Sequence, residues 1–137
     1  MTPLIKKLGL KEGSRACILE APSNYLDLLG PLPGGVVLLD QPDDGLDFIQ
    51  VFATEQRTLE RQVSALKQHL APAGMLWMCW PKKTSSLETD LTREVVRAIG
   101  LHAGLVDVKV CAIDADWSGL KFVFRLKDRK TSESSKS

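Results

Sequence analysis

No run of about 18 apolar residues occurs in the 137-residue sequence, so no membrane-spanning helix is expected. The first residues, Met1 to Lys7, lack the apolar core of a signal peptide, so the expectation is a cytoplasmic protein. Cysteine is scarce and odd in number. Cys17, Cys79 and Cys111 are widely spaced in apolar segments, which reads as free buried thiols rather than a disulfide framework. No CxxC, HExxH or EF-hand spacing is present, so no metal site is expected. Neither GxSxG nor GxxxxGK[ST] occurs, which removes the signals for a serine hydrolase and a P-loop nucleotidase. The only histidines, His69 and His102, are flanked by helix-end residues and read as solvated side chains.

Net charge is nearly absent too: 18 basic and 17 acidic residues leave +1. Residues 1–70 carry net −2 and residues 71–137 net +3, too small an asymmetry to argue for nucleic acid. What remains is an ordinary globular composition, 44% hydrophobic and 26% charged, in a chain long enough for one domain. Residues 1–127 are expected to form it, with a polar, Ser-rich tail over residues 128–137.

Short apolar runs alternate with helical stripes. A leading helix over Leu4–Leu10, ended by Gly13, precedes a buried strand at Ser14–Glu20. Pro22 breaks that strand, and Ser23 or Asn24 caps a short helix through Leu29. A second buried strand, Val36–Leu39, closes at Asp40, and Asp47–Ala53 is a third. Leu59, Val63, Leu66 and Leu70 form one stripe of a helix over Glu55–Leu70, with Thr54 as N-cap. Met75–Trp80 is nearly all apolar, as a strand buried on both faces should be, and Pro81 ends it. The next stripe is Leu91, Val95, Ala98 and Ile99, capped by Thr89 or Asp90 and ended by Gly100. Val106–Ile113 reads as an edge strand, Asp114–Gly119 as a hairpin loop, and Leu120–Leu126 as a strand of period two. This order predicts a three-layer α/β fold with a mostly parallel sheet of about six strands and a C-terminal antiparallel hairpin.

Particular segments carry a resemblance. Leu70-Ala71-Pro72-Ala73-Gly74-Met75-Leu76 is similar to the entry into the fifth strand of the class I methyltransferase fold, which is Rossmann-like. Ala103-Gly104-Leu105 resembles the entry into its sixth strand, and Lys121–Arg125 its seventh. That resemblance implies S-adenosylmethionine as cofactor, with Asp40 holding its ribose and Asn24, beside Tyr25, its amino-acid end. The turn that carries glycines in those enzymes reads Glu20-Ala21-Pro22-Ser23-Asn24-Tyr25 here, without one. Best over residues 70–125, the chain also resembles a family of small bacterial proteins of unknown function. That likeness rests on Pro81-Lys82-Lys83, Gly100-Leu101, Gly104-Leu105 and Asp116-Trp117-Ser118-Gly119.

Ligands in open α/β sheets bind at the carboxyl edge. Lys82, Lys83, Thr84 and Ser85 follow the most apolar strand, and their ammoniums and hydroxyls suit a phosphate or carboxylate. Trp117, Ser118 and Lys121 join them if the Val106–Ile113 strand runs parallel to the others. No general base is placed by motif. The leading expectation is therefore a non-catalytic domain, without a cofactor, that binds a small anionic ligand or a protein partner at that edge. The alternative is an S-adenosylmethionine-dependent methyltransferase with an atypical cofactor turn. A homodimer paired through an exposed edge strand is a third expectation.

Overall fold

A computed structural model describes residues 3–126 and residue 128. In chain order, α1 (Leu4–Leu8) precedes β1 (Arg15–Leu19), α2 (Tyr25–Leu29), β2 (Val37–Leu39) and β3 (Leu46–Phe52). Next come α3 (Gln56–Leu66), a 3-10 turn (Lys67–His69) and β4 (Leu70–Pro81). The helix α4 (Arg93–His102) and the hairpin of β5 (Leu105–Ala112) and β6 (Trp117–Phe124) follow. Of the expected tail, only Asp128 lies among the described residues.

All six strands join one sheet in the order β2-β1-β3-β4-β6-β5. β2, β1, β3 and β4 are mutually parallel, and β6 is antiparallel to both β4 and β5. β5 therefore points the same way as β4. One face packs Leu59, Val63 and Leu66 of α3 and Val96 and Ile99 of α4 against the sheet. The other packs Leu8 of α1 and Tyr25 and Leu29 of α2. This is the three-layer Rossmann-like α/β architecture expected from the alternation of strands and helices.

β4 is buried at its centre because its side chains alternate between two cores. Leu76, Met78 and Trp80 enter the α3/α4 core, and Trp77 and Cys79 the α1/α2 core. Trp77 donates its indole N–H to the Leu8 carbonyl at 2.9 Å, which ties α1 to the sheet. β2 has three residues, and β5 has a register irregularity between Asp107 and Lys109 beside the exposed Lys109.

Several boundaries differ from the sequence reading. Gly9, not Gly13, ends α1, in the left-handed conformation at φ 80°. β2 is half-exposed rather than buried, because it is an edge strand. Leu70 opens β4 instead of closing α3; the 3-10 turn returns it to the core as a strand residue. Glu55, not Thr54, is the N-cap of α3, and the Asp90 carboxylate accepts from the Gln56 N–H at 2.7 Å. Thr92, not Thr89 or Asp90, caps α4 by accepting from the Val95 N–H. Gly100 lies inside α4, against the Phe122 ring. β6 begins at Trp117, so Trp117, Ser118 and Gly119 are strand residues and not loop.

Cys17, Cys79 and Cys111 are free and buried, as expected. Cys79 accepts from the amide of Gln50, whose carbonyl oxygen accepts from the Tyr25 hydroxyl at 2.8 Å. Burial pushes the Cys79 thiol up to about 12 and also raises Tyr25 and Cys17. These groups hold their protons in the native state, whereas an unfolded cysteine releases its own near pH ~8.5. Their stabilising contribution is complete below that pH and is lost as pH rises toward the native values. The urea midpoint should fall as pH rises from 8.5 toward 11, the unfolding free energy dropping by up to about 1.4 kcal/mol per pH unit through the Cys79 thiol. A midpoint independent of pH over that range would contradict this.

Candidate functional site

The carboxyl ends of β1, β3, β4 and β5 lie on one edge, where Glu20, Ala53, Lys82 and Ile113 follow them. The chain winds outward in one direction through β1 and β2 and in the other through β3 and β4. The reversal falls between β1 and β3, which is where open α/β sheets form a ligand crevice.

A cleft of about 690 Å³ at this edge lies between the β4–α4 loop, the start of α4 and the β5–β6 hairpin. Lys82, Lys83 and Arg93 bring cations to it, Ser118 a hydroxyl, and Trp80, Leu91 and Val110 an apolar wall. Glu88 and Glu94 stand on the same lining. Three hydrogen bonds hold the geometry. The Lys82 N–H donates to the Asp116 carbonyl at 2.8 Å, joining the end of β4 to the hairpin turn. The Asp114 carboxylate accepts from the N–H groups of Asp116 and Trp117, closing that turn. Because β5 runs parallel to β4, the hairpin turn and the Lys82 loop share the carboxyl edge, as the joint site requires.

The fold does not assemble the full predicted set. Lys82, Lys83 and Ser118 line the cleft; Thr84 and Ser85 do not. The Ser85 hydroxyl accepts from the Leu87 N–H at 3.1 Å and so shapes the loop. Trp117 is on the opposite face of β6 from Ser118, since successive strand residues alternate. Its ring meets Phe52 edge-on, with centroids 5.1 Å apart. Lys121 is further along β6, opposite Trp77 and facing α1, away from the cleft. Arg93 escaped the sequence reading because a first-turn arginine looks like any exposed helix residue.

A second hollow of about 550 Å³ occupies the reversal point itself, lined by Glu20, Phe52, Thr54, Glu55, Gln62 and Trp117, among others. Its polarity is opposite to that of the first: it has carboxylates and no cation. Glu20 is the one non-glycine residue with positive φ among the described residues, at 59°. The Gln62 side-chain oxygen is buried without a partner among them.

A third hollow, about 340 Å³, lies between α2 and β2 and includes Ser23 and Asp40. Asp40 is exposed. Asn24 stands at the N-cap of α2 but makes no side-chain capping bond. Tyr25 also borders this hollow. It is buried, bonded to Gln50 and packed edge-on against Phe52 at 4.9 Å.

A parallel sheet reversing between β1 and β3, with an antiparallel strand inserted before the last one, defines a methyltransferase-like Rossmann fold. Solved structures agree. A SAM-dependent methyltransferase from Aquifex aeolicus superposes with a TM-score of 0.61 at 15% identity, over 87% of this chain and 86% of that one. Fibrillarin from Aeropyrum pernix, with natively bound S-adenosyl-L-methionine, gives 0.57 at 13% identity, over 89% and 69%. Magnesium protoporphyrin IX methyltransferase from Synechocystis PCC 6803, with bound SAH, gives 0.55 at 12% identity, over 89% and 78%. At these identities the likeness establishes the fold. The sequence matches no protein-family model and no curated relative.

Proposed function

We propose that this methyltransferase-like domain binds a small anionic ligand, without catalysis, in the cleft between the β4–α4 loop and the hairpin. The observation that carries this reading is the convergence of Lys82, Lys83 and Arg93 on one cleft at the start of α4. The first N–H groups of a helix point outward and favour negative charge. Three cations and the Ser118 hydroxyl add charge-assisted hydrogen bonds. Trp80, Leu91 and Val110 would receive a short apolar body attached to the anion. Glu88 and Glu94 disfavour a polyanion such as nucleic acid. The lining lacks a histidine or a thiol, and His69 is spent on Asp44 at 3.0 Å outside it.

Lys82→Ala/Lys83→Ala should weaken binding of citrate, the probe anion, at least about tenfold, since hydrogen bonds to charged groups contribute about 1.5–3 kcal/mol each. Stability should change by less than about 0.5 kcal/mol, as expected for surface positions. Calorimetric titration at fixed ionic strength reads the first and urea unfolding the second. Unchanged citrate affinity would sink the assignment.

The fold and one carboxylate favour a second reading, S-adenosylmethionine binding. The exposed Asp40 after β2 suits the two hydroxyls of a ribose. The β1–α2 turn does not fit the amino-acid end. Pro22 has no N–H to offer, and Ala21 and Ser23 carry side chains where a cofactor needs close backbone approach. Saturable binding of S-adenosylhomocysteine that Asp40→Ala abolishes would favour this reading over the first.

A further inference from the structure

Lys109 and Lys121 are directly opposed in the β5–β6 register and so share one face of the sheet. Like charges in that relation repel. Lys121 is half-buried, and its ammonium reaches over the end of α1, 3.8 Å from where a Cβ on Gly9 would stand. Lys11 follows that end by two residues. Burial, then the charges of Lys109 and Lys11, lower the pKa of Lys121. Among the described residues, no ion pair engages any of the three. Among the described residues, Lys109 and Lys121, with Lys11 just past the end of α1, thus have no ion-pair partner on the α1 face, the opposite face from Ser118 and its cleft.

We propose that Lys11, Lys109 and Lys121 form a second anion site, which holds the phosphate group of a small phosphorylated ligand. All three cations are lysines. An ammonium is a compact charge with three donors that suits tetrahedral phosphate oxygens, whereas planar carboxylates favour the arginine fork. Phosphate could come from a free ligand or a lipid headgroup. The recess of Lys121 between α1 and β4 favours the free ligand, because a flat bilayer surface meets the exposed lysines and not the recessed one.

Pyrophosphate is the probe, titrated into the full chain at ionic strength fixed with sodium chloride. The readouts are melting temperature and the backbone amide shifts of Gly9–Lys11, Lys109 and Lys121. The expected result is saturable binding with shifts at those amides. Lys109→Ala/Lys121→Met should weaken it at least about tenfold, and Lys82→Ala/Lys83→Ala should leave these shifts unchanged. Lys121→Met alone should fold with a melting temperature no lower than wild type, because it removes an unpaired half-buried cation. Wild-type pyrophosphate affinity in the double variant would overturn the proposal. So would shifts reproduced by sodium chloride alone, or binding to anionic phospholipid vesicles with none to pyrophosphate. Failure here leaves the β4–α4 cleft untouched, since different amides and different lysines report on it.

Discussion

Trp77→Ala is expected to cost about 3–5 kcal/mol, the range for truncating a buried tryptophan. A domain of this size holds about 5–15 kcal/mol in total, so most of its stability would go. Trp77 has no exposed surface and sits mid-strand in β4. Its ring belongs to the α1/α2 core, with Leu8 of the short α1 in the same cluster. Truncation also orphans the Leu8 carbonyl, which now accepts the indole N–H at 2.9 Å. An unsatisfied buried acceptor costs a further 1–3 kcal/mol or so if water cannot reach it. Trp77→Phe separates the terms, because it keeps most of the ring and removes only the donor. Urea unfolding of both variants is the check. A loss under about 1.5 kcal/mol for Trp77→Ala would mean that α1 does not seal this core.

Gly100→Ala is the second large effect, and intrinsic propensity predicts the wrong sign for it. Alanine in a helix interior is favoured over glycine by about 1 kcal/mol. Here the added methyl would lie 2.0 Å from Cε2 of Phe122, whose side chain is fully buried. Neither α4 nor the ring can give way without opening the core between β6 and the helix. Overpacking of this kind costs about 1–3 kcal/mol beyond the propensity gain. Phe122→Leu in the same chain should recover part of that loss, so a double-mutant cycle reports a coupling of about 0.5–3 kcal/mol. Strict additivity would show that the contact is not the cause.

Gly100 also shows where reading the sequence stops. A glycine near the end of an apolar stripe fits a helix terminus and a packing notch equally well. Only the tertiary position of Phe122 decides, while Gly104, at φ 91°, follows the true helix end. The alternation of strands and helices was legible because apolar runs such as Met75–Trp80 and the stripe Leu59, Val63, Leu66 depend on local period alone. Half of the candidate site was legible for a similar reason. A polar loop after a buried strand must emerge at the carboxyl edge, which placed Lys82 and Lys83. Trp117 and Ser118 looked like one loop, but as neighbours in β6 they face opposite ways, so only Ser118 reaches the cleft. The same alternation sends Lys121 to the α1 face. The full burial of Tyr25 depends on tertiary partners such as Gln50, 25 positions away.

Backbone amide shift mapping of the labelled protein tests the central claim most directly, with citrate in one titration and S-adenosylhomocysteine in the other. Citrate should move Lys82–Ser85, Arg93, Glu94 and Ser118, and S-adenosylhomocysteine should leave Glu20, Ala21, Ser23, Asn24, Asp40 and Thr54 in place. Saturable movement of the second set with S-adenosylhomocysteine, and silence of the first set with citrate, would contradict the account and return the site to the reversal point between β1 and β3.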